Sequence, residues 1–263
     1  WSQAKAQCEA VVNSGLYGLE PNYSDIFSSS KQWGQEVVYS LHMVEDPDGN
    51  WGEHEGSWLS IWFGDRDMGW GYGFRCPTTD FINAFEPGDN RLDASVVFDG
   101  ESIPGVFGGA PHDFTGGSWN PPTGFMGQKY LIPDSERPVT ADCNGNLDYI
   151  FLRYADVLLM AAEANNRATA SNDTKAQNYL NQVRARAYGN NSNASSSTGS
   201  TLTQEIWDER RLELAGEGHR FYDLVRTGQA AAEISGFVAG KHEVFPIPQT
   251  EIDVSNLTQN AGY

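Results

Sequence analysis

The sequence is short of cysteine, short of basic residues and without any long apolar run. Its three cysteines, Cys8, Cys76 and Cys143, are widely spaced and odd in number. They form no Cys-x-x-Cys motif and cannot build a multi-bridge framework, although one disulfide plus a free thiol stays open. Lys and Arg number 17 against 35 Asp and Glu, a net charge of −18. Such a surface repels phosphate backbones and anionic headgroups, which argues against a nucleic-acid partner and leaves uncharged ligands open. No apolar stretch approaches the ~18 residues of a membrane span, and no signal peptide opens the chain. Catalytic signatures are missing as well. There is no Gly-x-Ser-x-Gly elbow, P-loop or His-x-x-x-His pair, and the five histidines are scattered. No cofactor and no metal are expected.

What is present is a folded composition, 39% hydrophobic and 12% aromatic over 263 residues, enough for one large domain or two small ones. The chain opens at Trp1, without an initiator Met and within a helical pattern, and reads as the C-terminal part of a longer polypeptide. Ala4, Cys8, Val11 and Val12 fall at helical spacing before Gly15. "EVVYSLH" (36–42) alternates as a strand, and "TTDFINAFE" is a short helix capped by Thr78 or Thr79. Residues 43–75 and 99–146 are irregular and glycine-rich. Then Phe151, Tyr154, Ala155, Leu158, Leu159 and Ala162 recur at three- and four-residue steps, an amphipathic helix. Thr174 and Gln177 have capping-box spacing ahead of a second helix carrying Ala176, Tyr179, Leu180, Val183 and Ala187. The low-complexity loop "GNNSNASSSTGS" is expected to be mobile, and Thr201 and Gln204 open a third helix. The pair spanning 151–188 resembles a tetratricopeptide unit. A mostly helical, tetratricopeptide-like superhelix with long irregular loops and minor β structure is expected.

The stretch "EIWDERRLELAGEGHRFYDLVRTG" (205–228) mixes six acidic and four basic side chains with apolar ones. Asp208–Arg211, Arg210–Glu213, Glu217–Arg220, Arg220–Asp223 and Asp223–Arg226 have i,i+3 spacing. A guanidinium fork can hold a carboxylate or loop carbonyls and so fix a tight turn at Gly216 and Gly218. The network reads as scaffold, not as a catalytic centre.

With these residues in view, the chain resembles the SusD/RagB family. "LRYADVLLMAAEA" (152–164), "YLNQVRARA" (179–187), "IWDERRLELAGEGHRFYDLVRTG" (206–228), "VFPIPQTEID" (244–253) and "LTQNAGY" (257–263) follow that family's order. "AKAQCEAVVNSGLYGLEPNYSDIF" (4–27), "EVVYS" (36–40) and "PTTDFINAFEPGDNR" (77–91) agree. The resemblance covers nearly the whole chain. It implies a C-terminal family region over 1–263, with helix and loop-rich binding region at 1–148 and helical scaffold and tail at 149–263. It also implies a surface-exposed outer-membrane lipoprotein of Bacteroidetes-type bacteria that binds oligosaccharide, or in some members peptide. Such a protein would cap a SusC-like TonB-dependent transporter. The family's lipidated N-terminal Cys and N-terminal helical region are missing from this chain, and Cys8 lies within a helix.

A sugar binder needs flat aromatics on loops with polar neighbours. "WGEHEGSWLSIWFGDRDMGWGYGF" (51–74) holds half of the chain's eight tryptophans. Trp51, Trp58, Trp70, Tyr72, Asp65 and Arg66 are the candidate ligand-binding residues there, with Trp119 in "GGSWNPPTGF". Trp62, between Ile61 and Phe63, is expected to be buried. "DPDGN" (46–50) with Glu53 and Glu55 resembles an oxygen-rich calcium loop but also an ordinary turn. A glycoside hydrolase would need two carboxylates at fixed separation, and no such pair stands out. A helical adaptor that binds only protein would leave the tryptophan-rich loop unexplained.

Overall fold

The computed structural model describes residues 1–49 and 55–263. Helix α1 (Ser2–Ser14) ends where Gly15 turns left-handed. Strand β1 (Val37–Leu41) follows, then the short helices α2 (Leu59–Phe63), α3 (Thr79–Asn83) and α4 (Arg91–Ser95). Thr78 caps α3 by accepting from the Phe81 N–H at 3.2 Å. Strands β2 (Val96–Val97) and β3 (Met126–Gly127) make a two-stranded antiparallel ribbon. Strand β4 (Tyr149–Arg153) pairs antiparallel with β1 and runs directly into α5 (Tyr154–Arg167). Helices α6 (Asp173–Tyr188) and α7 (Gly199–Glu213) complete the scaffold, and α8 (Arg220–Thr227), α9 (Ala230–Glu233) and α10 (Gln249–Ser255) lie beyond. Two compact units result, 1–217 and 218–263. In the second, α8 packs against α9, and Phe221 lies 6.1 Å from Phe245 between ring centroids.

In the first unit α5 is the central helix, packed against α1, α6 and α7. Only Met160 and Arg167 escape burial along it, as expected of a helix surrounded by others. Leu158, Leu159 and Ala162 meet Leu180 and Val183 of α6 and Leu202 and Ile206 of α7, all fully buried. Each such Leu, Ile or Val contributes about 1.5–3 kcal/mol of transfer free energy. This layer is the mostly helical, tetratricopeptide-like scaffold that the periodicity predicts. A second core sits under the irregular segments, where Tyr23, Ile26 and Phe27 meet Leu59, Ile61, Phe63, Tyr130 and Ile132.

Local signals differ from the sequence reading in several places. Phe151 belongs to β4 and is half exposed, because pairing with β1 claims residues that helical spacing also fits. A bulge at Tyr39 breaks the strict alternation expected of β1. The cap of α6 is Asn172, accepting from Lys175 N–H at 2.9 Å, while Gln177 reaches Ser197. Helix α7 begins at Gly199, so Thr201 lies inside it. The serine-rich loop is tied down, since Asn181 exchanges two hydrogen bonds with the Ser195 backbone at 2.7 and 3.0 Å. All three cysteines are free.

The charged stretch on α7 answers to distant partners. Ile206, Glu209 and Glu213 fall on the buried face of α7, so Glu213 meets Arg153, Arg186 and Arg91 at 2.5–3.0 Å. Arg210 turns instead to Asp156, Arg211 to Asp80 and Arg220 to Glu233, and Arg226–Asp223 keeps its i,i+3 partner. Arg153 also holds Glu36 at 2.8 Å and Glu217 at 2.7 Å. Beyond α7, Gly216 takes φ 75°, and the turn's carbonyls are held from elsewhere. Lys129 Nζ donates to Ala215 O at 2.7 Å, Arg153 Nη2 to Glu213 O at 2.6 Å, and Tyr23 Oη to Glu213 O at 2.5 Å. Arg91, Arg153, Arg184, Arg186 and Lys129 thereby face Asp89, Glu36, Glu209, Glu213 and Glu217, a balanced set that makes burial tolerable. The network is scaffold, with partners that lie far away in sequence.

Candidate functional site

Trp51, Glu53 and His54 lie outside the described residues, so the candidate surface begins at Glu55. Ser57 pairs with Gly145 through reciprocal backbone bonds of 2.7 and 3.2 Å, and its Oγ accepts the Leu59 N–H, starting α2. Ile61 and Phe63 then enter the core. Trp58 and Trp62, four residues apart on the other side of α2, are half-buried with ring centroids 6.5 Å apart. Trp62 was expected inside; the guanidinium of exposed Arg75 covers its face at 5.6 Å instead.

The chain then folds back along α2. Tyr72 N–H donates to Ile61 O at 2.8 Å, Gly73 to Gly64 O at 2.9 Å, and Phe74 to Trp62 O at 2.9 Å. This places the Tyr72 ring beside Trp58, centroids 6.4 Å apart and 25° between planes, and Phe74 beside Tyr72 at 5.5 Å and 29°. Offset stacking of this kind suits the ring quadrupoles. Phe74, 55% exposed, ends the row toward solvent.

Glycines decide which rings face outward. In "GWGYGF" the alternation would put Trp70, Tyr72 and Phe74 on one face, but Gly71 (φ 144°) and Gly73 (φ 61°) rotate the chain between them. Trp70 is consequently buried, under the Arg137 guanidinium at 4.7 Å. A Cβ on Gly73 would meet the Trp119 ring at 2.2 Å, so that glycine lets the half-buried Trp119 ring approach the backbone between Tyr72 and Phe74. Asp67 holds Trp119 there, accepting its N–H at 2.7 Å and the Ser118 hydroxyl at 2.5 Å. These bonds keep the Asp67 carboxyl below its usual pKa.

Of the expected site residues, Trp58 and Tyr72 come together, Trp119 lies against Gly73 and packs on the Val97–Phe114–Met126 cluster, and Arg66 is exposed. Trp70 and Asp65 point inward. Asp65 is buried and paired with His112 at 2.9 Å, because the chain needs an acceptor for an imidazole with no exposed surface. Phe74 and Arg75 were not singled out from the sequence, although the spacing Trp70, Tyr72, Phe74 carried the signal for the first. At 46–49 the Asp46 carboxylate accepts the Asp48 N–H at 2.9 Å and its carbonyl the Gly49 N–H at 2.9 Å, the bonding of a turn. Among the described residues no cluster of three or more His, Cys, Asp or Glu side chains forms a metal site, and no helix is long and apolar enough to cross a membrane.

The fold is a mostly helical, tetratricopeptide-like scaffold with aromatic rings borne on its irregular segments. The chain belongs to the SusD family, whose sequence model matches residues 28–243. SusD-like protein P25 of Formosa agariphila is 26% identical, covering 100% of this chain and 56% of that protein. A solved laminarin binding SusD-like protein is 30% identical with a TM-score of 0.75, covering 94% of this chain and 54% of its own. Surface glycan-binding protein A from Bacteroides thetaiotaomicron, solved in complex with laminarihexaose, is 26% identical with a TM-score of 0.76, covering 98% of this chain and 59% of its own. This chain spans a little over half the length of these relatives.

Proposed function

We propose that this chain captures a neutral oligosaccharide at the bacterial cell surface, without catalysis, and passes it to a SusC-like TonB-dependent outer-membrane transporter. The observation that carries the reading is the row Trp58–Tyr72–Phe74, half-buried at Trp58 and Tyr72 and open to solvent at Phe74. Sugar C–H faces stack on such rings, and rings already packed against each other lose little entropy on binding. Trp119 lies against Gly73 within the same segment, and Arg66 and Trp51 are proposed as further ligand-binding residues. The net charge of −18 disfavours a polyanionic ligand and supports a neutral one. The relatives named for glycan, laminarin and laminarihexaose binding support the ligand class. Family membership supports the surface location, anchored by an N-terminal lipid outside this chain, and the transporter partnership.

Absence of catalysis is part of the proposal, and the carboxylates nearest the rings and in the core have structural partners. A glycosidase needs two of them free to act on one bond. Here Asp65 serves His112, Asp67 serves Ser118 and Trp119, and Glu209, Glu213 and Glu217 are locked in buried ion pairs.

Affinity electrophoresis against neutral and anionic polysaccharides, followed by calorimetry with the retained glycan, tests the reading. Trp58→Ala and Tyr72→Ala should each weaken binding about tenfold or more while Tm falls only modestly. Retention only by anionic polymers, wild-type affinity in both variants, or release of reducing sugar from the bound glycan would overturn it.

A further inference from the structure

Trp33 is 79% exposed, the most open of the large hydrophobic side chains on the described surface apart from Val139. An indole left in water is normally free to turn, but this one is held. Its Nε1–H lies 3.1 Å from Asp148 Oδ2, and the carboxylate itself is buried. Asp148 Oδ1 accepts the Met43 N–H at 3.0 Å, and the Asp148 N–H donates to Gln32 Oε1 at 2.6 Å. Gln32 then donates to Asn146 O at 2.9 Å, so the turn carrying Trp33 is clamped to the segment entering β4.

His42 completes the arrangement. Its Nδ1 is 2.8 Å from Asp148 Oδ2 and 3.1 Å from Trp33 Nε1, with the rings edge to face at 5.5 Å. The carboxylate is an acceptor only, so both Trp33 Nε1–H and His42 Nδ1–H donate to it. In the neutral ring this leaves Nε2 as an open acceptor on a side chain that is 62% exposed. Beside these groups runs a groove of about 640 Å³ along β1, with Tyr39 and Ser40 on its lining. Tyr39 is itself mostly exposed, and Phe151 lies 5.8 Å from it across the strand pair. The groove is shallow and open to solvent along the strand.

From this geometry we infer that the Trp33–His42 groove is a second, separate subsite for a neutral oligosaccharide. The inference rests on the glycan-capture reading but uses none of the residues assigned there. A ring clamped in place while exposed offers a stacking face at little ordering cost, and an aligned imidazole acceptor beside it suits a hydroxyl. The buried carboxylate orients both groups, and it disfavours an anionic occupant.

The full chain, labelled with ¹⁵N, is titrated with laminarihexaose, maltohexaose, cellohexaose and xylohexaose while the indole N–H resonances are followed. Trp33 is assigned by its loss in Trp33→Ala. The expected result is a saturable shift at Trp33 that persists in Trp58→Ala, with a dissociation constant raised about tenfold in His42→Ala, the size of one net hydrogen bond. Shifts confined to the Trp58 region overturn this inference and leave the first reading standing. Shifts at Trp33 alone, unaltered by Trp58→Ala and Tyr72→Ala, support this site and remove the first. No shift with any of the four sugars overturns both. A Trp33 shift that follows protein concentration without sugar makes the groove a contact between copies and overturns the subsite.

Discussion

Arg153 uses every donor it has. Nε reaches Glu217, Nη1 reaches Glu36 and Glu213, and Nη2 reaches the Glu213 carbonyl and Glu217, all within 2.8 Å. A planar fork can span three carboxylates and a carbonyl, whereas an ammonium is a point with three donors. Arg153→Met leaves Glu36, Glu213 and Glu217 short of a cation in a dry site and should cost about 3–5 kcal/mol in urea unfolding. Arg153→Lys should recover only a minor part of that loss. Full recovery by Lys would show that charge matters there and not fork geometry. The half-buried Trp58 and Tyr72 are a different case, since they pack against the second core on one side and are open on the other.

At the scale of elements, the helix ends show how local chemistry competes. Both Asn172 and Thr174 are residues that cap well, and only the first does so, by accepting Lys175 N–H. Asn172→Ala should lower stability by about 1 kcal/mol, whereas Thr174→Ala, exposed and already inside α6, should leave it unchanged or raise it by about a few tenths, since Ala is the better helix former. Equal losses in thermal melts of the two variants would put the helix start at Thr174 after all. The serine-rich loop after α6 illustrates a related point. Its composition predicts mobility, yet Asn181 and Gln177 offer side-chain partners along α6, and the loop backbone takes them. Composition reports what a segment lacks for a core; it does not report which neighbours will hold it.

For the whole molecule, the buried charges set the response to pH. Burial alone would raise the Glu213 pKa, but Arg186, Arg153 and Arg91 reverse this and hold it well below the usual carboxylate range. Burial likewise opposes ionisation of Glu217, and Arg153 and Lys129 bring its pKa below normal. Both carboxylates bind protons more readily in the unfolded chain. Their contribution is therefore complete above the ordinary value of 4.5 and is lost as pH falls toward the folded values. Lys129 acts on the other side. Burial first, opposed by Glu217, lowers its pKa from 10.5 to about 8. Between those values the unfolded chain binds the extra proton, so this group makes stability rise with pH from about 8 to 10.5. The difference in unfolding free energy between wild type and Lys129→Met should change by roughly 3 kcal/mol across that interval. A difference independent of pH would mean that Lys129 titrates normally when folded.

The sequence by itself determined the scaffold and the family. The three- and four-step spacing of Ala155, Leu158, Leu159 and Ala162 states a buried helix face, because a helix has one period and its apolar stripe must be covered. Acidic composition excluded polyanionic partners for an equally general reason, since like charges repel whatever the fold. Tertiary structure alone decided the partners and the facing of rings. Glu213 was visible as a charge on α7, but Arg91 and Arg153, 122 and 60 residues away, were not readable as its partners. Trp70 and Trp58 have the same chemistry and similar neighbours in sequence, and one is buried while the other flanks solvent. Two glycines with positive φ make that choice, and a backbone rotation leaves no trace in side-chain pattern. The clamp on Trp33 was hidden for the same reason, as it is made by Asp148, which reaches the turn only because β4 pairs with β1.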